Sequence, residues 1–366
     1  MINRKLNVAV VGMGGIGNLH ASIYKEDPLA NLIAVCDIVK EKADEAAEKY
    51  GVRAFYNEKE MLKALPELDI VDVTTSGFDN ASLHFEPAMI ALDAGKNVLV
   101  EKPICHEVED ARALVKFARE KNLYLGCNLN HYFSEPAAKA QEYMKNGGVG
   151  EQVYCIHKVG FNGSSAGYGG SGGPKWNRPY SHTKAFLTHP LSVMRHFCGD
   201  VTHVQAFMDR PGVRKSGEDL MLSIQSLHLR FQNGCVGYLL SQRGDAHFGY
   251  GGWWSFELAG TKGTFIIENC VEKLMYWDAA NSPADGQPNY TLNTGVTDFN
   301  ATFKHRIHAY LEDVANEVPK DYLRSSGRDA LATIEYIFAA IKSYENGGAL
   351  VIPEKLPPIY GDINYF

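Results

Sequence analysis

The run Val8-Ala9-Val10-Val11-Gly12-Met13-Gly14-Gly15-Ile16-Gly17 decides the fold. Four apolar residues, three of them valine, read as a short strand buried on both faces. Three glycines follow at Gly12, Gly14 and Gly17, and Ile16–Lys25 then reads as a helix. A strand, a glycine turn and a helix open a βαβ unit.

Outward from this run the pattern repeats. Leu32–Cys36, Ile70–Thr74, Asn97–Val100 and Leu123–Cys127 read as further strands. Helices are expected over Lys40–Tyr50, from about Asn80 to Ala94, and over Val108–Lys121. Short β-branched runs alternating with amphipathic helices predict an α/β chain with a doubly wound parallel sheet, a Rossmann fold. After residue 128 the period changes. Pro136–Asn146 is still helical, but Gln152–Val159, Val204–Phe207, Leu220–Phe231, Cys235–Gln242, Trp254–Leu258 and Thr264–Glu268 read as longer alternating strands. Turns at Asn233-Gly234 and Gly260-Thr261-Lys262-Gly263 predict a large, mostly antiparallel open sheet. Two late helices are expected over Lys304–Asn316 and Gly327–Asn346. The expected domains are 1–127 for the dinucleotide, 128–350 for substrate and oligomerisation, and an extended tail over 351–366. The segment 160–180 holds seven glycines with Tyr168, Trp176 and Tyr180. It reads either as a surface loop or as a cover over a site.

Composition excludes several classes. The chain is 45% hydrophobic and 22% charged, with a net charge of -7 and interleaved signs. A nucleic-acid surface would need a basic stripe. No apolar run approaches the roughly 20 residues that cross a bilayer. The seven cysteines are scattered, without a C-x-x-C pair, so neither a disulfide framework nor a zinc site of the usual spacing is expected, and no metal. A cytoplasmic location is expected from this cysteine usage and the absence of a signal-like N-terminus.

The glycine loop carries chemistry because of its context. Gly12 permits the tight turn, Gly14 lets backbone N–H groups approach a pyrophosphate, and Gly17 lets helix and strand pack closely. The helix N-terminus adds partial positive charge. Asp37 ends the second strand, where a carboxylate receives the adenosine ribose hydroxyls and repels a 2′-phosphate. NAD is therefore expected ahead of NADP, with Lys40 close enough in sequence to permit some NADP binding. Lys102, in Glu101-Lys102-Pro103 at a strand end, places an ammonium downstream of this loop.

Together with Gly12–Gly17, the stretches Ala94-Gly95-Lys96-Asn97-Val98-Leu99-Val100-Glu101-Lys102-Pro103 and Asn128-Leu129-Asn130-His131-Tyr132-Phe133 resemble the glucose-fructose oxidoreductase / inositol dehydrogenase / MocA family. The resemblance covers the first 150 residues; beyond them it rests on strand pattern, the Gly260–Gly263 turn and Ser325–Leu331. It implies a second α/β domain, an active site between the domains, and oligomerisation through the outer face of the open sheet. It implies that Met13, Gly15, Ile16, Asp37, Thr75, His84, Glu101, Lys102 and Asn130 line the NAD site, and that the Lys102–Pro103 bond is cis. Many relatives carry Asp-x-Gly-x-His ahead of a glycine. Here that stretch is Ala185-Phe186-Leu187-Thr188-His189, followed by Gly199, so the histidine is kept while the aspartate and glycine are not. Tyr132 stands where relatives often carry arginine.

These residues imply a hydride transfer. His189 is the candidate base, because neutral imidazole is available near pH 7. Lys102 would hydrogen-bond the reacting oxygen and stabilise a developing alkoxide. Lys184, His182 and Thr188 are candidates to replace the missing aspartate. Tyr132, Trp176 and Lys184 join Lys102 and His189 as substrate-lining candidates, and aromatic faces at Trp176, Tyr180, Tyr250, Trp253 and Trp254 suit sugar rings or planar aglycones. Trp253 and Trp254 read equally well as strand core or subunit interface. The resemblance implies a sugar or glycoside oxidised at a ring hydroxyl, at C3 in the sharpest form, giving a 3-keto sugar. Two alternatives stay open. One is a glycosidase that uses tightly bound NAD for transient oxidation and elimination. The other is a non-enzymatic NAD-dependent sensor, against which Lys102 and His189 both argue.

Overall fold

The computed structural model describes residues 4–76, 83–161, 178–210, 220–243, 246 and 252–357. By contact density the chain divides into two compact units. The first holds Met1–Leu129 and Phe303–Ile334; the second holds Asn130–Thr302 and Glu335–Lys355. The helix 304–316, expected in the second domain, counts with the first unit from Phe303 onward.

The first unit is built on β1 (Leu6–Val11), β2 (Ala30–Cys36), β3 (Arg53–Phe55), β4 (Ile70–Val73), β5 (Asn97–Val100) and β6 (Leu125–Cys127). All pair in parallel, in the order β3-β2-β1-β4-β5-β6. This is the dinucleotide-fold order, with the strand order reversing beside β1. The crossovers are α1 (Gly15–Glu26), α2 (Lys40–Tyr50), α3 (Glu58–Ala64), α4 (Phe85–Asp93) and α5 (Val108–Glu120). Helix α5 shows why they dock. Val108, Ala111, Leu114, Val115 and Ala118 fall on one stripe and are all buried. The end of β6 is fixed from later in the chain. Cys127 receives Arg306 Nε at 3.0 Å and Ser325 Oγ at 2.7 Å on its carbonyl, and its amide donates to the Ser325 carbonyl at 2.9 Å. Arg306 is wholly buried, so these contacts are what keep its desolvation affordable. The short β3 and α3 are absent from the sequence expectation; α3 is seven residues long, with Asn57 capping it by accepting the Glu60 amide.

The second unit contains α6 (Glu135–Lys145), β7 (Gln152–Phe161), α7 (Ser181–Phe186), α8 (Thr188–Cys198), β8 (Val201–Asp209), β9 (Ile224–Phe231), β10 (Val236–Arg243), β11 (Trp254–Gly260), β12 (Gly263–Glu268), β13 (Lys273–Asp278) and β14 (Tyr290–Asn293). Helices α9 (Ala301–Ala315) and α10 (Gly327–Glu345) follow. The eight strands run β14-β13-β12-β11-β7-β10-β9-β8. Only the β7–β10 pair is parallel, so the sheet is mixed rather than purely a meander. Cys155, His157 and Val159 of β7 are buried, while Tyr154 and Ile156 are exposed. That two-residue period marks one covered face and one open face. The covered face includes Phe197, Phe256 and Phe265, with ring centroids 5.0 and 5.3 Å from Phe197. Gly237 is required there, because a Cβ would meet Phe231 at 2.8 Å and Met194 at 2.9 Å.

Candidate functional site

The first unit presents a cradle at the end of β1. Gly12 has φ +100°, and a Cβ on it would lie 2.7 Å from the Thr75 amide nitrogen. At Gly17 a Cβ would lie 1.9 Å from the Gly12 carbonyl oxygen. Both positions therefore demand glycine for backbone reasons. Gly14 and Gly15 differ: a Cβ on either meets nothing within 4 Å. Open space thus lies over the start of α1, where no side chain caps the helix and the first turn holds no acid. An uncapped, acid-free N-terminus under a glycine loop fits a pyrophosphate. Ile16 beside it is 40% exposed.

Asp37 closes the cradle. Its Oδ2 accepts the Met13 amide at 2.7 Å and its Oδ1 accepts the Val39 amide at 2.8 Å. Each oxygen keeps a lone pair for a ribose hydroxyl. Ile38 follows with 90% of its surface exposed, an apolar plate beside the ribose carboxylate that suits an adenine face. Together these residues fit NAD.

At the end of β5 the Lys102–Pro103 bond is cis. His84 is buried, and its Nδ1 donates to the Pro103 carbonyl at 2.8 Å. Burial lowers the His84 pKa and keeps that ring neutral. Thr75 Oγ1 donates to the Leu83 carbonyl at 2.8 Å. Lys102 is half-buried.

Glu101 is turned into the unit. Its Oε1 accepts Asn128 Nδ2 and lies 3.2 Å from His20 Nε2; its Oε2 accepts the Lys102 amide at 3.1 Å. His20 Nδ1 meets Asp72 Oδ2 at 2.7 Å. Burial opposes a charge on His20, but Asp72 and Glu101 outweigh it and raise its pKa to about 10. The Glu101 pKa is lowered: burial pushes it up, and the His20 imidazolium with Lys102 overcomes that. This charged knot beneath Lys102 is a component that the sequence did not disclose, since His20, Asp72 and Glu101 lie far apart in the chain. Its effect is to fix the backbone that carries Lys102.

The second unit holds the imidazoles. His189 is the second residue of α8 and is 5% exposed. Its ring stacks on His131 at 3.8 Å between centroids and 9° between planes. Trp254 Nε1 donates to His131 Nδ1 at 3.1 Å, which places the His131 proton on Nε2. Phe299 meets the edge of His131 at 5.0 Å, and Phe186 packs edge-on to both imidazoles. His131 lies within the Asn128–Phe133 stretch, but its stack against a residue on another helix has no signature in sequence.

The remaining site expectations are placed as follows. Asn130 is fully buried in the second unit, with Nδ2 donating to Thr302 Oγ1 at 2.7 Å and Oδ1 unpartnered. Tyr132 stacks on His196 at 4.3 Å. Lys184 Nζ sits 4.8 Å over the Phe338 ring, and His182 Nε2 meets Ser241 Oγ at 3.0 Å. Trp254 is 1% exposed, so of its two readings the structure displays strand core, and Trp253 is half-buried. Trp176, Tyr168 and Tyr250 lie outside the described residues.

Residues 6–129 match the model of an oxidoreductase family with an NAD-binding Rossmann fold, GFO/IDH/MocA. Over these residues the chain has this family's NAD-binding Rossmann fold. Among curated relatives, a levoglucosan dehydrogenase of Pseudarthrobacter phenanthrenivorans is 24% identical over 323 residues, 80% of this chain and 81% of its own. A D-glucoside 3-dehydrogenase of Escherichia coli is 31% identical over 152 residues, 41% of this chain and 42% of its own length. Among solved structures, a levoglucosan dehydrogenase in complex with NADH and levoglucosan superposes with TM-score 0.79 at 20% identity. It covers 96% of this chain and 100% of its own, and shows that the fold is shared across both sheets. Among the described residues, no helix is long and apolar enough to cross a membrane.

Proposed function

We propose that this protein is an NAD-dependent dehydrogenase that oxidises a ring hydroxyl of a sugar or glycoside, at C3, to a 3-keto sugar. The observation that carries the reading is His189, an imidazole held by ring stacking at the start of α8 in a chain with an NAD cradle. The names of the levoglucosan and D-glucoside 3-dehydrogenases support the sugar class, and the second supports C3. Asp37, bridging the Met13 and Val39 amides, supports NAD over NADP. NAD supplies the hydride acceptor. His189 takes the hydroxyl proton, and Lys102 donates a hydrogen bond to the same oxygen as negative charge develops on it.

Incubation of the purified protein with NAD and a glycoside panel tests this. Stoichiometric NADH and a 3-keto sugar are expected from at least one member. Free sugar without net NADH would instead support the glycosidase alternative. His189→Ala and Lys102→Ala should each lower kcat about 100-fold or more. Variants that turn over like the parent would remove both residues from the mechanism.

We also propose that the open face of the large sheet joins copies of this chain. Tyr154, Ile156, Phe207 and Val236 on β7, β8 and β10 are 37–54% exposed. The register sets Val236 beside Tyr154 and Tyr238 beside Ile156 on that face, an exposed apolar cluster bordered by His228 and Arg230 of β9, of the kind that homo-oligomers cover. Ile156→Glu should lower the sedimentation coefficient; an unchanged value, or a parent that sediments as a monomer, overturns this.

A further inference from the structure

Three of the seven cysteines converge in the second unit. Cys155 lies on β7, Cys198 closes α8, and Cys235 stands immediately before β10. They are separated by tens of residues in the chain, so no ligand spacing announces them. Yet their sulfurs all lie within 4.8 Å of one another, and the three residues are 1%, 0% and 0% exposed.

The surroundings select among occupants. Met194 and Phe231 close on Gly237, where a Cβ would fall 2.9 and 2.8 Å from them and 3.2 Å from Cys155 Sγ, so the surroundings are apolar and tightly packed. Among the described residues, no His, Asp or Glu joins the group. Zinc prefers four ligands, and with three thiolates it would leave a net negative charge and an open position in an apolar pocket. A monovalent ion with three thiolates would leave more charge still. A trivalent thiophilic centre with three thiolates is neutral and needs no fourth ligand. Its formation is a balanced exchange. Arsenous acid gives up three hydroxyls, three S–H bonds break, three As–S bonds form, and three waters leave, with no change of oxidation state.

We infer that Cys155, Cys198 and Cys235 form a buried three-thiol site for a trivalent, thiophilic ion such as arsenic(III). Entry is provided at the β9–β10 turn, where Gln232, Asn233 and Gly234 are exposed directly beside Cys235. Occupation would tie the last residue of α8 to two strands of the sheet.

The test is titration of the reduced, full-length protein with sodium arsenite. One arsenic per chain is expected in native mass spectrometry, with a mass gain equal to arsenic less three protons. The thermal midpoint should rise, because a site formed only in the folded chain stabilises it. Cys235→Ser and Cys198→Ser leave two thiols each and should weaken binding at least tenfold, while Cys36→Ser should leave it unchanged. A fall in the midpoint would mean that the ion prefers thiols of the unfolded chain, and it overturns the site. So does arsenic binding that survives in both Cys235→Ser and Cys198→Ser. Stoichiometric zinc that arsenite fails to displace overturns the choice of a trivalent ion.

Discussion

Replacing His20 with leucine should cost this protein a large part of its stability, and the loss should depend on pH in a defined direction. His20 is fully buried between Asp72 and Glu101. Raising its pKa from 6.5 to about 10 corresponds to on the order of 5 kcal/mol, at about 1.4 kcal/mol per pH unit. Removing one partner of a buried ion pair independently suggests about 3–5 kcal/mol. Against a total of roughly 5–15 kcal/mol for a folded domain, that is decisive. The folded-state pKa of His20 lies above its unfolded value, so its contribution is fully present below pH 6.5 and is lost as pH rises through about 10. Glu101 is the reverse case. Its lowered pKa adds stability above its ordinary value of 4.5, and this is lost as pH falls through the folded value. The parent should therefore exceed His20→Leu most strongly near pH 6, and the gap should shrink toward pH 10. Urea unfolding of both proteins at each pH measures this. A gap below about 1 kcal/mol near pH 6, or one that stays constant with pH, refutes the charged knot.

Gly17→Ala places a methyl 1.9 Å from the Gly12 carbonyl oxygen; forced displacement of the loop should weaken NADH binding by about 10- to 100-fold, read by fluorescence titration. Asp37→Ser removes the charge that repels a 2′-phosphate, so the ratio of NADP to NAD affinity should rise at least tenfold, read by calorimetry. His131→Phe keeps an aromatic face against His189 but removes the acceptor for Trp254 Nε1. It should lower kcat by about tenfold or more with little change in NADH affinity, whereas equal losses in both would point to misfolding.

What the sequence disclosed follows a physical divide. The strand–glycine–helix opening and the carboxylate at the end of β2, Asp37, were legible because each depends on residue types at a fixed place along the chain, whereas the cis bond before Pro103 was implied only by the family resemblance. The glycine positions are demanded by backbone clashes within the loop and with Thr75, and such demands leave residue types as their trace. The strand Lys273–Asp278 and the edge strand Tyr290–Asn293 were not legible. The first buries Leu274, Met275 and Tyr276 in succession, and the second is mostly exposed, so neither shows a clean two-residue alternation. The parallel pairing of β7 with β10 was also hidden, because pairing direction is a property of topology and both strands carry the same alternation.

The same divide governs the site. His189 could be marked from sequence because it keeps its register ahead of Gly199, but what holds it could not. Its neighbour His131 comes from the segment after β6, and Trp254 from the start of β11. The aspartate that many relatives place four residues before the histidine is Ala185 here, and it is 2% exposed. A carboxylate in that position would orient an imidazole by charge and raise its affinity for a proton. A stacked neutral imidazole orients by contact, and it gains nothing when His189 becomes cationic beyond what any polarisable ring offers. The substitution therefore exchanges a carboxylate at position 185 for a methyl group. That exchange makes a specific demand on activity: Ala185→Asp should move the acid limb of the kcat/KM profile to higher pH, because a nearby carboxylate stabilises the protonated base. An acid limb that stays in place while activity is retained would show that position 185 does not reach the base.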